Sequence, residues 1–143
     1  MSEQENIKVM QASFDALNAH DLDRWSQFQS GDYMAEAPGA TGSMNQEQTR
    51  MLNQGFFTAF PDLHFELTRT IAQGDFVVTH WKATGTHTGP MRTPSGGSIP
   101  PTGKKGMVTG STTAEIKNGK VTRAWTFWDM ASLLGQLGLL PPM

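Results

Sequence analysis

The sequence predicts an α+β fold: a cone-shaped barrel made by a curved, mainly antiparallel sheet, with N-terminal helices packed on it and a C-terminal helix at one end. Three observations predict it. Apolar residues recur at helical spacing up to about residue 60, and beyond residue 61 the period falls to two. Turn signals at Gly74-Asp75 and Asn118-Gly119 then cut the second half into paired strands. The 143 residues suit one domain, 1–143. A chain of that size hides about two-thirds of its surface, which leaves room for a small internal pocket.

Each element has its own signal. Ser2 to Glu5 has capping-box spacing, and Ile7, Met10, Phe14 and Leu17 follow on one face, so residues 3–19 read as an amphipathic helix. Asn18-Ala-His20-Asp21 breaks the pattern, and Asp21 caps a short second helix that turns Leu22, Trp25 and Phe28 inward. A turn at Ser30-Gly31-Asp32 is expected to end it, before a short strand from Tyr33 to Ala37 stopped by Pro38-Gly39. Asn45 opens a third helix through Phe60, with Leu52, Phe56, Ala59 and Phe60 on one face and Pro61-Asp62 closing it. Leu63–Ala72 and Phe76–His87 form one hairpin, Met107–Ile116 and Lys120–Asp129 another. The Pro- and Gly-rich stretch from Gly89 to Lys105 is too long for a tight turn and reads as a protruding loop. A last helix, Met130–Leu137, ends at Gly138 and Pro141-Pro142.

Composition removes several function classes. The net charge is −2 with both signs scattered, so no nucleic-acid footprint is present. With no cysteine there are no disulfides, thiolate metal sites or cysteine nucleophiles, and a cytoplasmic location is the default expectation. The polar N-terminus lacks the apolar stretch of a secretory signal, and no run approaches a membrane span, so no membrane partner is expected. His80 and His87 sit seven apart on one strand and point to opposite faces, so no metal site is expected. Gly97 to Lys105 resembles a phosphate loop only faintly: five residues intervene instead of four, and two prolines lack the required N–H groups. No nucleophile elbow or dinucleotide fingerprint accompanies it, and no cofactor is expected.

What remains is proton transfer or ligand holding by a pocket rich in Trp, Phe and Met. Strand alternation puts Trp125, Phe127 and Asp129 on one face. Among aromatic rings, desolvation would raise the pKa of Asp129 and suit it to general acid/base work. The same residue is also placed to cap the helix that starts at Met130, which would lower its pKa instead. Thr109, Ser111, Thr113 and Glu115 share one face of the preceding strand, with Gly110, Thr112, Ala114 and Ile116 on the other, and either row could face inward. If the first does, Glu115 lies near Asp129. His87 has the parity of Trp81, Ala83 and Gly85, as a titrating ring beside an aromatic wall or as a hydrogen-bonded strand-end histidine. Arg123 shares the parity of Asp129, though no second carboxylate can be matched to it for epoxide hydrolysis.

Six segments together, Asn18 to Asp21, Phe60 to Leu63, Gly85 to Gly89, Ile99 to Lys104, Trp128-Asp129 and Gln136 to Leu139, resemble the SnoaL-like polyketide cyclases across nearly the whole chain, apart from extra residues around Pro94 to Ser98. That resemblance implies a cone of the nuclear transport factor 2 type, a homodimer, no cofactor, and an aspartate corresponding to Asp129 as general acid/base in an aldol ring closure of an aromatic polyketide ester. The implied partner is a small hydrophobic or aromatic molecule held by Trp81, Trp125, Phe127, Phe56 and Phe60. At positions where the family carries neutral or imidazole side chains this chain has Glu36, Thr113 and Glu115. Two carboxylates there would oppose an enolate unless protonated or turned away. The alternative is a non-catalytic module that holds a small apolar ligand in the same cone.

Overall fold

The computed structural model describes residues 2–40, 42–93 and 96–140. Helices α1 (Glu3–Asn18), α2 (Leu22–Gln27) and α3 (Gln46–Ala59) pack on a sheet whose long members are β1 (Gln29–Glu36), β3 (His64–Gln73), β4 (Phe76–Thr86), β7 (Lys105–Lys117) and β8 (Lys120–Trp128). A two-residue strand β2 (Met44–Asn45) borders β1, and α4 (Met130–Gln136) closes the chain. The sheet order is β2-β1-β8-β7-β4-β3, open at both edges. All pairings are antiparallel except β1 with β8, which is parallel.

The helix starts follow from their caps. Ser2 and Asn45 each form a capping box, with Glu5 and Gln48 respectively, and Asp21 and Asp129 accept the backbone N–H three residues on. The β7–β8 turn takes Asn118 and Gly119 at positive φ, 52° and 76°, the geometry that matches strand twist in a two-residue hairpin. His20 also holds a left-handed φ of 54°, and the surrounding bonds explain how. Its Nε2 lies 2.9 Å from the Leu63 carbonyl and its ring stacks on Phe57 with centroids 4.1 Å apart. Asn18 exchanges two hydrogen bonds with the backbone of Phe65, at 2.9 and 2.7 Å. The corner between α1 and α2 is thereby clamped to the start of β3.

Two expectations about local structure are corrected. The turn expected at Ser30-Gly31-Asp32 is absent: α2 ends in a turn at Phe28, and the strand begins at Gln29 and carries Ser30, Gly31 and Asp32 as an irregularity in its pairing with β8. Ser30 Oγ closes that irregularity on the Asp32 carboxylate at 2.6 Å. The Gly89–Lys105 segment is also more ordered than a plain loop. It contains a small ribbon, β5 (Met91–Arg92) with β6 (Ser98–Ile99), and Met91 packs on the cluster of Ala59, Phe60, Leu133 and Leu137. Pro94, and the Pro141-Pro142 stop expected after α4, lie outside the described residues. Among the described residues no helix is long and apolar enough to cross a membrane.

Candidate functional site: the cavity of the cone

The helices and the sheet enclose a cavity of about 170 Å³. The long strands contribute chiefly one parity to it, with Glu36 and Thr84 reaching it as well. Tyr33 and Ala35 come from β1, Trp81 and Ala83 from β4, Val108 and Thr112 from β7, and Ala124, Thr126 and Trp128 from β8. Phe14, Phe56, Phe57 and Phe60 close it from the helix side, and Leu133 from α4. The rings meet edge to face, Phe65 on Trp81 at 5.3 Å and Phe56 on Trp128 at 5.8 Å. An engineered apolar cavity of about 150 Å³ accepts benzene, so this space holds at least one ring.

Apart from Glu36 at the rim, the polar groups on its wall are neutral. Gln29 donates to Ser13 Oγ at 3.3 Å and to the Trp25 carbonyl at 3.0 Å. Trp81 Nε1 donates to Thr112 Oγ1 at 3.1 Å, which lies 3.0 Å from Thr126 Oγ1. Tyr33 is buried, and burial pushes its phenol pKa up to about 12, with Thr49 opposing the shift, so it stays a protonated donor near neutral pH.

The predicted site residues divide sharply between the two faces of the sheet. Phe56, Phe60 and Trp81 line the cavity as expected. Trp125, Phe127 and Asp129 do share a face, but that face is the outer one, since Ala124, Thr126 and Trp128 hold the inward parity of β8. Phe127 is 65% exposed. Asp129 is exposed, and its Oδ1 accepts the Ser132 N–H at 2.9 Å, so the capping alternative describes its contacts. On β7 the outward row is Thr109, Ser111, Thr113 and Glu115; the inward one contains Thr112, Ala114 and Ile116, which are all buried. Glu115 faces Arg123 across the hairpin and accepts the Thr122 hydroxyl at 2.8 Å, away from the cavity.

Glu36 touches the rim of the cavity, but Tyr33 and Ala35 carry the inward parity of β1. Its neighbours in a shallow outer depression are Met34, Ser43, Arg123 and Trp125. Glu115 is therefore turned away from the cavity, while Glu36 is an exposed residue at its rim. Arg123 is exposed on that same outer face, beside Glu36 and across from Glu115. His87 has the inward parity but sits behind Phe60, ring centroids 5.4 Å apart, outside the cavity lining. It is fully buried, and Nδ1 accepts the Thr102 N–H at 3.2 Å with the Thr102 hydroxyl 3.0 Å away. That contact leaves the proton on Nε2, which has no hydrogen-bond partner among the described residues. Burial lowers the His87 pKa; the Gly89 backbone pulls it the other way without meeting the ring in hydrogen-bonding geometry.

The segments behind the family resemblance mostly hold the cone together. Asp62 accepts from Thr86 N at 2.7 Å and Thr86 Oγ1 at 2.9 Å, and Gln136 exchanges two 2.8 Å bonds with the backbone of Met107. A Cβ on Gly89 would lie 1.9 Å from the Thr58 carbonyl, so only glycine permits that approach to α3. The family model described as SnoaL-like polyketide cyclase matches residues 7–137. The chain belongs to this family. Solved structures similar to this SnoaL-like chain include AclR, a candidate hydroxylase from Streptomyces galilaeus, at 26% identity and a TM-score of 0.86 over 99% of this chain and 90% of that one. IdmH, a candidate polyketide cyclase from Streptomyces antibioticus, is 24% identical with a TM-score of 0.81, over 93% and 98% of the two chains. A candidate SnoaL-like polyketide cyclase from Jannaschia sp. CCS1 is 22% identical with a TM-score of 0.84, over 98% and 95%. These neighbours share the nuclear transport factor 2-like fold of the SnoaL-like proteins. No curated protein matches the chain in sequence.

The residues that sequence reasoning missed are Tyr33, Gln29, Thr112 and Thr126. One signal could have found the last two. The row with Thr112, Ala114 and Ile116 is the more apolar face of β7, and its cross-strand register selects Ala124, Thr126 and Trp128 on β8.

Proposed function

We propose that this SnoaL-like protein binds a small, ring-containing, largely apolar molecule in the cone and promotes a cyclase-type or isomerase-type rearrangement of it with no cofactor. The observation that carries this reading is the character of the cavity: aromatic and aliphatic walls, neutral hydroxyl and amide groups and, among the described residues, Glu36 at the rim as the one charged side chain of its lining. A wall of that kind holds a flexible polyketide-type chain folded, so that two of its carbons meet, which replaces an entropic barrier by binding. Protonated donors such as Tyr33 stabilise an enolate oxygen as it forms. In an aldol closure a proton leaves a carbon flanked by carbonyls, the new carbon–carbon bond forms, and the resulting alkoxide takes a proton back, so the balance needs no co-reactant. Glu36 at the rim is the carboxylate nearest to that traffic. Asp129 serves as the base only if it abandons the Ser132 N–H and turns round the end of β8.

The test is to incubate the protein with an aromatic polyketide ester and follow product by chromatography and mass spectrometry. Cyclised or isomerised product supports the reading. Tight binding with unaltered ligand supports instead a non-catalytic holder, which the scarcity of ionisable groups inside the cone favours. We further propose a homodimer joined through the outer face around Trp125 and Phe127, because Phe127 stays 65% exposed two residues along β8 from Trp125 on that face.

A further inference from the structure

Thr79, Thr112 and Thr126 stand in register across β4, β7 and β8 on the side of the sheet that faces the helices. The last two belong to a chain of three polar groups: the Trp81 indole nitrogen, Thr112 Oγ1 and Thr126 Oγ1, linked at 3.1 and 3.0 Å. With the side chains placed as they are, and with Thr79 Oγ1 making no bond to the chain, counting hydrogens fixes one of its properties whichever threonine donates. An indole N–H only donates, so Thr112 Oγ1 accepts from Trp81. The contact between the two threonines uses one hydroxyl hydrogen, whichever residue supplies it. Three hydrogens serve two bonds, and one hydroxyl hydrogen is left unused. It sits on the wall of the cavity, because both threonines line it, with Trp81 on one side and Trp128 on the other. Thr112 is 9% exposed, so bulk water has little access to its oxygen.

An unused O–H in an apolar space is a standing demand for an acceptor. The demand is directional and strengthened by its neighbours, since an oxygen that already accepts a hydrogen bond becomes a better donor. Trp81 is held in place against Thr112. Its ring covers Gly110, where a Cβ would lie 2.5 Å from it, and Phe65 meets it edge-on.

We infer that the Thr112–Thr126 pair is a binding subsite for a ring-bound carbonyl oxygen, and that it selects ketone- or quinone-bearing rings over hydrocarbons of the same shape. The inference rests on the reading of the cone as a ring-binding site and names the polar feature of its ligand. In a reaction that passes through an enolate, the same hydroxyl stabilises the oxygen as its charge grows. Thr112 and Thr126 are then specificity-determining residues, with Trp81 a positioning residue acting through Thr112.

The experiment compares 1-tetralone with tetralin, which differ by one carbonyl, in titrations followed by tryptophan fluorescence and calorimetry. Wild-type protein is expected to bind the ketone about ten-fold more tightly, and the bound carbonyl stretch to move to lower frequency in infrared difference spectra. Either single valine variant, Thr112→Val or Thr126→Val, still has a hydroxyl hydrogen to offer and keeps a ketone preference. The double variant sets the Trp81 indole N–H free on the same wall, so it is the triple variant, with Trp81→Phe added, that loses the preference while still binding tetralin, which also reports that it has folded. Equal affinity of wild-type protein for the two ligands, or an unshifted carbonyl stretch, overturns the subsite and leaves the ring-binding cone standing. Failure of both ligands to bind overturns the cone as a ring site, and the subsite falls with it.

Discussion

Replacing Asp129 separates the two roles open to it, because its amide and its alanine replacements fail in different ways. Asp129 Oδ1 accepts the Ser132 N–H at 2.9 Å and starts α4, which carries Leu133 and Leu137 into the cluster with Ala59 and Phe60. Asparagine is as good an N-cap as aspartate, so Asp129→Asn should leave stability within a few tenths of a kcal/mol, whereas Asp129→Ala should cost about 1 kcal/mol. Unfolding entropy of a chain this long corresponds to about 0.3 kcal/mol per degree, so the alanine variant should melt about 3 °C lower and the asparagine variant within about 1 °C of wild type. Differential scanning calorimetry reads the first quantity; binding of 1-tetralone and turnover of an aromatic polyketide ester read the second. With Asp129 on the outer face, Asp129→Asn should change neither binding nor turnover by more than about two-fold. A loss of a hundred-fold or more in turnover, at unchanged melting temperature, would refute the reasoning and make Asp129 the base.

Three other outcomes follow from the same contacts. Tyr33 holds its proton up to about pH 12 when folded and to about pH 10 when unfolded. Its contribution is complete below pH 10 and is lost as pH rises to 12, by about 2 to 3 kcal/mol, so urea denaturation should show Tyr33→Phe gaining on wild type across that window. His87 is held neutral by burial, so the unfolded chain takes up its proton first as pH falls through the usual imidazole range. Wild-type protein should lose stability below about pH 6.5 more steeply than His87→Gln, and equal slopes would contradict the buried, unpartnered ring. Phe127→Arg should leave the melting temperature of the protomer almost unchanged while sedimentation shifts from dimer to monomer; a variant that still sediments as a dimer would remove the outer face of β8 as the interface.

Much of the fold was legible because it rests on short-range signals. Caps at Ser2, Asp21, Asn45 and Asp129, the Asn118-Gly119 turn and the change of hydrophobic period place the elements within a few residues of their observed bounds. The strand that misled begins at Gln29, where Gly31 and Asp32 look like a turn but ride in an irregular pairing with β8. Its parallel partnership with β8 is a tertiary fact with no local signature. The aromatic wall was partly legible, since Phe56, Phe60 and Trp81 lie on apolar periods. The failure at Trp125, Phe127 and Asp129 has a different cause. Period two tells which residues share a face and leaves open which face is buried, and on β8 both rows carry aromatic residues. Only β7, where Thr112, Ala114 and Ile116 are buried, decides the matter through its register. Motif residues such as Asn18, Asp62 and Gln136 were legible as a family pattern, and the structure gives them the work of fastening helices to strand ends.

Methyl chemical shifts recorded during a titration with 1-tetralone test the ring-binding cone most directly. Ala35, Ala83, Val108 and Leu133 line the cavity, whereas Ile71 is 53% exposed and Val78 lies on the outer side of β4. Saturable shifts confined to the first four are the predicted result. Shifts at Ile71 and Val78 with the inner methyls unmoved would contradict it.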